Sequence, residues 1–467
     1  MATKRQKEKA YNTTKKIAKK YPIIFIVILV ILIALGVTAF ILYNNGHFDK
    51  WFNKNSNNNN QSNEIVYNED GYNENIIYDN FQIHFMELNN EYAGDTTYIK
   101  AGDVDILIDA GSRGNSAPTL VQYIKQYCTD GKLEYVISTH NHQDHIAGFA
   151  GNSDSKATNY KGNKVGKTGV LYYFDVGTFI DFTYAGVTQE IDGKKKTVTY
   201  DNKNQVSSSF ASGTEYGKYL AAREYIISNG AKYYTAKDLW DSNNTKFELA
   251  DGITMDILYN YYYFNESSDV NNYSVCTLFN YNDHHFLLTG DLELEGEEKL
   301  VEYYNGSSQD KTLPKCELFK AGHHGSETSS NECLLEIIQP KICVACCCAG
   351  NTEYTVVNDT IFPTQGFINR IAKYTFRVYV TTLFEQSTGN FVSMNGNIIV
   401  SSNGTNIGLR ASNNLIRLKD TEWFNEKVYL VDGKIAKGNK GSKDFYKSTD
   451  SGVVEKPRRV WPTNGKE

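Results

Sequence analysis

Residues 76–412 of this 467-residue chain predict a mixed α/β domain, an αββα sandwich in which two β-sheets pack face to face with helices outside. Three observations carry that prediction. Short apolar strand patterns are followed by helical patterns in two successive runs. One strand pattern runs straight into a loop dense in metal-ligand residues, His140-x-His142-x-Asp144-His145. An unbroken apolar run at residues 23–43 stands apart from everything else, so one N-terminal transmembrane helix is expected ahead of the domain.

In chain order, residues 1–22 read as a basic cytoplasmic stub, with eight Lys/Arg and one Glu in the first twenty positions. Residues 23–43 carry no charge, and about 20 apolar residues cross a bilayer. The core of a cleaved signal peptide would be shorter, about 7–15 residues, and would be followed by small residues. Only Asp49, Lys50 and Lys54 follow before an Asn-rich stretch. The positive flank stays inside, so a single-pass membrane protein with an extracellular catalytic domain is expected. Residues 44–75, poor in aliphatics, read as a flexible stalk.

The domain is expected to begin near Ile76. Residues 83–86, 96–100 and 104–109 are strand patterns between Gly and Asn turns. Residues 116–128 are helical, with Leu120, Ile124 and Cys128 at spacing four. Residues 133–138 form the strand that delivers the metal loop. Residues 151–215, rich in Gly, Ser, Lys and Thr, read as an insertion beside the active site with one strand at 170–174, either a gating flap or a plain decoration. A helix at 215–229 precedes the second run. Its strands are 247–258, 274–280, 285–288, 314–320 and 377–381, and its helices 294–304, 331–338 and 363–374. Residues 413–467 read as a loosely attached tail.

Four ligand-type residues within six suit two adjacent metal sites. Alternate residues of a tight loop point the same way, so His140 and His142 can share one metal while Asp144 and His145 turn toward a second. Mixed nitrogen and oxygen donors suit zinc, manganese or iron. Asp291 closes the apolar strand Phe286-Leu-Leu-Thr-Gly-Asp, freed by the preceding glycine to bridge two metals. His323 and His324 are adjacent and so point to different sides. Lys320 lies just upstream, where it can offset phosphate charge or merely end a strand in solvent. Ser326, after a glycine in a turn, sits where hydroxyl and backbone N–H groups hold anions.

These motifs resemble the metallo-β-lactamase superfamily, in particular the ComEC type, the hydrolase domain of the competence DNA-uptake channel and its stand-alone relatives. The resemblance spans about residues 80–410. It rests on Gly94-Asp95 and Leu107-Ile108-Asp109-Ala110-Gly111, then Thr139-His140-Asn141-His142-Gln143-Asp144-His145, then Leu288-Thr289-Gly290-Asp291, then Gly322-His323-His324-Gly325-Ser326, in that order. It implies six ligands, His140, His142, Asp144, His145, Asp291 and His324, holding two divalent ions, zinc or manganese. It implies that His323 meets the substrate or leaving group, and that Asp144 ligates and also orients a metal-bridged hydroxide. Asp109 would orient a ligand histidine from behind.

The chain departs from the family in two places. No histidine occurs from residue 146 to residue 283, so the first metal lacks a third imidazole. Asn271, Asn272 and Ser274 stand where the ComEC type shows an Asn/Ser motif; neutral donors there imply a looser first site. Phe362-Pro363 stands where a His-Pro is common, after Asn351 and Tyr354, which are kept as substrate-side candidates. His47, His84, His284 and His285 are given no role.

Composition narrows the substrate. Beyond residue 20 the chain holds 40 Lys/Arg against 53 Asp/Glu, a net of −13. That disfavours a strongly DNA-binding nuclease, because such binding relies on cationic surface. The resemblance favours a phosphodiester, either DNA or a surface polymer such as a teichoic acid. Ester or lactone hydrolysis and a non-catalytic surface binding module remain as alternatives. Eight cysteines do not read as a disulfide framework. Cys343, Cys346, Cys347 and Cys348 crowd one apolar stretch and read as small hydrophobes in a buried strand.

Overall fold

The computed structural model describes residues 71–306, 312–385, 388–435 and 447–467. The expected cytoplasmic stub, the transmembrane run at 23–43 and nearly all of the stalk lie outside them. Among the described residues no helix is long and apolar enough to cross a membrane.

Two large sheets form the body. The first orders Tyr72–Glu74, Ile407–Ala411, Ile398–Ser402, Phe81–Phe85, Thr97–Ala101, Val104–Ile108, Lys132–Ile137, Asp175–Asp181 and Lys232–Thr235. The second orders Lys246–Ala250, Ile253–Ile257, Thr277–Tyr281, His284–Leu288, Leu318–Lys320, Ile342–Ala349, Val378–Glu385 and Asn390–Ser393. They meet through apolar side chains. Phe81 of the first sheet lies 6.0 Å from Phe279 and 5.0 Å from Phe286 of the second, centroid to centroid.

The strand Ile342–Ala349 explains the cysteine-rich stretch. It pairs in parallel on both sides and is buried throughout. Side chains alternate across a strand. Ile342, Val344 and Cys346 therefore enter the core between the sheets, while Cys343, Ala345 and Cys347 enter a second core beneath the helices Glu332–Ile338 and Gln365–Ile371. A strand covered on both faces needs small apolar residues at consecutive positions, and free cysteine meets that need. All eight cysteines are unpaired.

Several expectations are corrected. Among the described residues the first strand lies ahead of Ile76, because Tyr72–Glu74 adds a parallel edge beside Ile407–Leu409. Residues 170–174 are not a strand. Val170–Tyr173 is one helical turn, closed by Phe174 N–H donating to the Val170 carbonyl at 3.1 Å, with Val170 and Leu171 buried. Tertiary burial overrides the β-propensity of Val and Tyr here. Residues 151–215 are not one insertion, since Asp175–Asp181 is an inner strand of the first sheet; only the hairpin Tyr184–Ile191/Lys194–Asp201 stands apart as a separate ribbon. The residue 247–258 pattern is a two-strand hairpin turning at Gly252. Finally, the described parts of 413–467 are packed rather than loose. Leu418, Trp423 and Phe424 join the second core, Lys427–Leu430 pairs with Val454–Pro457, and buried Arg459 donates to the carbonyls of Ile361 and Pro363.

Candidate metal centre

The centre forms where loops leave the ends of parallel strands. Lys132–Ile137 delivers Thr139, His140 and His142, and helix Gln143–Ala150 then carries Asp144 and His145 in its first turn. The loop after Val104–Ile108 packs so closely on this helix that a Cβ on Gly111 would lie 1.6 Å from the Asp144 carbonyl oxygen. His284–Leu288 delivers Asp291 across Gly290, whose φ of +57° turns the carboxylate inward. Leu318–Lys320 delivers the paired histidines. His323 and His324 both adopt left-handed backbone, at φ 45° and 55°. Left-handed backbone is uncommon for non-glycine residues, though histidine adopts it more readily than most.

All six expected ligands converge. Asp291 Oδ2 lies 3.0 Å from His145 Nε2, 3.5 Å from His324 Nε2 and 3.9 Å from His140 Nε2. His324 Nε2 lies 3.3 Å from Asp144 Oδ2, and His140 Nε2 3.1 Å from His142 Nδ1. His140, Asp144, His145, Asp291 and His324 are buried; His142 is partly exposed.

Their ring orientations are set from behind. Asp109 accepts from His145 Nδ1 at 2.7 Å and is itself fixed by the backbone N–H and hydroxyl of Thr139. His324 Nδ1 donates to the Cys346 carbonyl at 2.9 Å. Both imidazoles thus present Nε2 to the centre, the usual device for fixing a ligand tautomer. Ser274 reaches two members at once, with its hydroxyl 3.5 Å from His140 Nδ1 and accepting the Asp291 N–H at 3.0 Å.

Charge follows the geometry. Burial works against ionised Asp291 and Asp144, yet nearby imidazoles hold both carboxyls well below their ordinary range, His145 and His324 acting most strongly. Burial also opposes protonated His145, but Asp291 and Asp109 lift it well above the usual value. His324 is raised to about 10 against burial by Asp291, Asp95 and Asp144. His140, buried beside His145, is held well below. The imidazolium protons of His145 and His324 offset the clustered carboxylates; a divalent cation would take over that role by displacing them, since histidine ligates in its neutral form. The fit is sharpened by Asp291 Oδ1 and His324 Nε2, buried atoms with no hydrogen-bond partner. Such orphans are rare in protein interiors, and a metal would satisfy both.

The remaining site candidates divide. Tyr354 donates to Asp144 Oδ2 at 2.8 Å. His323 faces the mouth, 3.2 Å from Glu293 and beside Thr328. Asn271 and Asn272 do not reach the ligands; they hold Glu293, the first through its carboxylate and the second through its backbone N–H. Ser326 bonds Thr328. Asn351 donates to the Glu91 carbonyl, away from the ligand cluster.

Lys320 is the clearest correction. Its ammonium is buried and ion-paired with Asp95, not free at the mouth for phosphate. Asp95, assigned no role from the sequence, groups with His145, Asp291 and His324 as a candidate ligand set. Its only advance signal was its place after Gly94, ahead of an apolar strand. Lys320 and His324 outweigh burial and keep Asp95 ionised.

Two supports had no signal in the sequence. Asn141 pairs through its side-chain amide with both the N–H and the carbonyl of Gly186, at 3.0 and 2.8 Å, so the separate hairpin is bolted to the metal loop. Buried Glu297 accepts the N–H groups of Ser330 and Asn331, and Arg370 binds three carbonyls of the same loop, which follows His324. Burial pushes the Glu297 carboxyl up to about 7 despite those donors.

Comparison with known proteins finds similarity over parts of the chain. Residues 89–154 match the model of the metallo-beta-lactamase superfamily. A competence protein, ComA of Neisseria gonorrhoeae, is 34% identical over 97 residues, which are 21% of this chain and 12% of that one. The chain therefore corresponds to only a small part of that relative. Among solved structures, the metallo-beta-lactamase fold protein YhfI from Bacillus subtilis is similar at 9% identity and TM-score 0.33, covering 67% of this chain and 99% of its own. A probable metal-dependent hydrolase from Staphylococcus aureus is similar at 12% identity and TM-score 0.28, covering 73% and 100%. The stretch that matches the family model carries the strand Val104–Ile108, the strand Lys132–Ile137 and the metal loop.

Proposed function

We propose that this protein is a metal-dependent phosphodiesterase, anchored by residues 23–43 with its catalytic domain outside the cell. The observation that carries the hydrolytic reading is the cluster of His140, Asp144, His145 and His324 about buried Asp291, in which Asp291 Oδ1 and His324 Nε2 have no hydrogen-bond partner. Divalent ions held there supply an activated water near neutral pH and neutralise charge on the attacked oxygen. His140, His142 and Asp291 would hold one ion, and Asp144, His145, Asp291 and His324 the other. Asp109 and the Cys346 carbonyl keep the imidazoles presenting Nε2. Tyr354 fixes the Asp144 carboxylate. His323, at the mouth and paired with Glu293, is placed to meet the leaving group.

The phosphodiester reading rests on the ComEC resemblance and is the finer part of the proposal. Metal analysis of the purified full-length chain should find one to two divalent ions. Zinc- and manganese-loaded protein should cleave a chromogenic phosphodiester or single-stranded DNA. Cleavage of neither, with metal bound, overturns phosphodiester hydrolysis. The topology is tested by protease shaving of intact cells, which should release the domain; protection until lysis reverses the orientation.

A further inference from the structure

The mouth of the centre carries an aromatic face that metal chemistry does not require. Tyr354 stands on the segment between strand Ile342–Ala349 and helix Gln365–Ile371. The residue is 57% exposed, although its hydroxyl is committed to Asp144. A single exposed aromatic needs no explanation, but this one is held and extended. The Phe362 ring lies 5.8 Å from that of Tyr354, 5.4 Å from His323 and 5.9 Å from His324, so flat rings run from solvent to the ligand cluster. Glu353, next to Tyr354, is ion-paired with Arg113, whose guanidinium stacks on Tyr92 at 4.3 Å. The segment that bears Tyr354 is thereby braced against the opposite loop.

We propose that Tyr354 and Phe362 form a stacking subsite for a nucleobase beside the scissile ester, making the substrate a single-stranded or terminal nucleotidyl phosphodiester. The inference rests on the phosphodiesterase reading and narrows it. Every nucleobase has a π-face, and stacking on aromatic side chains binds single strands without reading their sequence. A net charge of −13 beyond residue 20 leaves little bulk attraction for a phosphate backbone, so the ring contact must supply affinity that charge does not. A paired base inside a duplex cannot offer its face, and a polyol phosphate has no face to offer.

The test is equilibrium binding of thymidine 5′-monophosphate and of ribose 5-phosphate to the manganese-loaded full-length chain by calorimetry. The two ligands share a phosphate and differ in the base. Wild type should bind the nucleotide about tenfold or more tightly than the sugar phosphate. Y354F, which keeps the ring and loses the hydroxyl, should retain that ratio. Y354A and F362L should bring it toward one. Equal binding of both ligands by wild type, or an unchanged ratio in Y354A and F362L, overturns the subsite. Loss of the ratio in Y354F assigns it to the hydroxyl on Asp144 and also overturns stacking. Binding is read without turnover, so an inactive protein that keeps the ratio fails the phosphodiesterase reading and leaves the base subsite standing.

Discussion

The two halves of the metal centre differ in what stands behind them. His145, His324 and Asp144 surround Asp291 from a buried side, and each rests on a fixed partner: Asp109, the Cys346 carbonyl and Tyr354. Beneath them lies the Asp95–Lys320 ion pair. His140 and His142 approach from the other side, where only the hydroxyls of Thr139 and Ser274 reach His140 and where His142 is partly exposed. A carboxylate or carbonyl behind an imidazole raises its basicity and fixes its direction, while a neutral hydroxyl does less. The difference teaches that two sites sharing one carboxylate need not be equally supported, so that on the two-ion proposal the ions would be held unequally. The buried half should fill first and the open half last.

The largest effect tests what the halves share. Asp291→Ala removes the one carboxylate common to both and leaves His145 and His324 facing each other. Bound metal should vanish and activity fall by more than the ~10–100-fold that follows loss of an outer partner. Full metal content in that variant, measured by elemental analysis, ends the bridging assignment.

The next prediction separates the halves. His142→Ala should lose one ion and keep the other, whereas His324→Ala should lose both or nearly so, because the open half cannot hold metal without the buried one. Stoichiometry across a zinc titration reads this directly. Equal losses in the two variants would show that the halves are equivalent.

Much of this arrangement was legible in the chain because its signals are local. A strand pattern running into His140-x-His142-x-Asp144-His145 marks both the element and the side chains that cluster at its end, and a glycine before Asp291 marks the turn that frees it. The Cys343–Cys348 stretch was legible for a similar reason, since consecutive small apolar residues fit a doubly covered strand. What was not legible depends on distant pairing. Lys320 reads as a strand-end lysine until Asp95, far away in the chain, is placed beside it. Residues 170–174 read as a strand because Val, Leu and Tyr suit either state, and only packing decides. The tail looked loose from its Gly, Lys and Ser content, yet Trp423, Phe424 and Arg459 anchor it, and three anchors outweigh an average composition.

A pH effect sharpens the comparison on the buried side. Glu297 ties down the loop that follows His324, and burial raises its carboxyl from 4.5 to about 7. The folded protein therefore holds a proton that the unfolded chain releases. The stabilisation is full below the unfolded value and is lost as pH rises through about 7. Each pH unit between those two values is worth about 1.36 kcal/mol, so the loss reaches about 3 kcal/mol. Glu297→Gln cannot ionise, so wild type should lose thermal stability relative to this variant between about pH 5 and pH 7.5. Parallel melting curves across that range would show that the buried loop is held without Glu297's proton.

The smallest effect belongs to the open half. Asn141 lies between the two ligands His140 and His142, and its amide makes two bonds to Gly186 of the hairpin. A Cβ at Gly186 would lie 2.3 Å from Val270, so the hairpin is already seated tightly against the segment before Ser274. Each such hydrogen bond is worth about 1 kcal/mol net, and Asn141→Ala removes both without touching a ligand atom. Stability should fall by about 1–2 kcal/mol. Affinity for the second, weaker ion should drop up to about tenfold. Affinity for the first ion should stay within about twofold, because none of the partners of His145, His324 or Asp144 involves the hairpin. If both ions weaken together, the hairpin braces the whole centre and the two halves are not independently supported. If neither changes, His140 and His142 take their positions from the strand Lys132–Ile137 and the helix Gln143–Ala150 alone, and the hairpin's attachment to the metal loop has no bearing on metal binding.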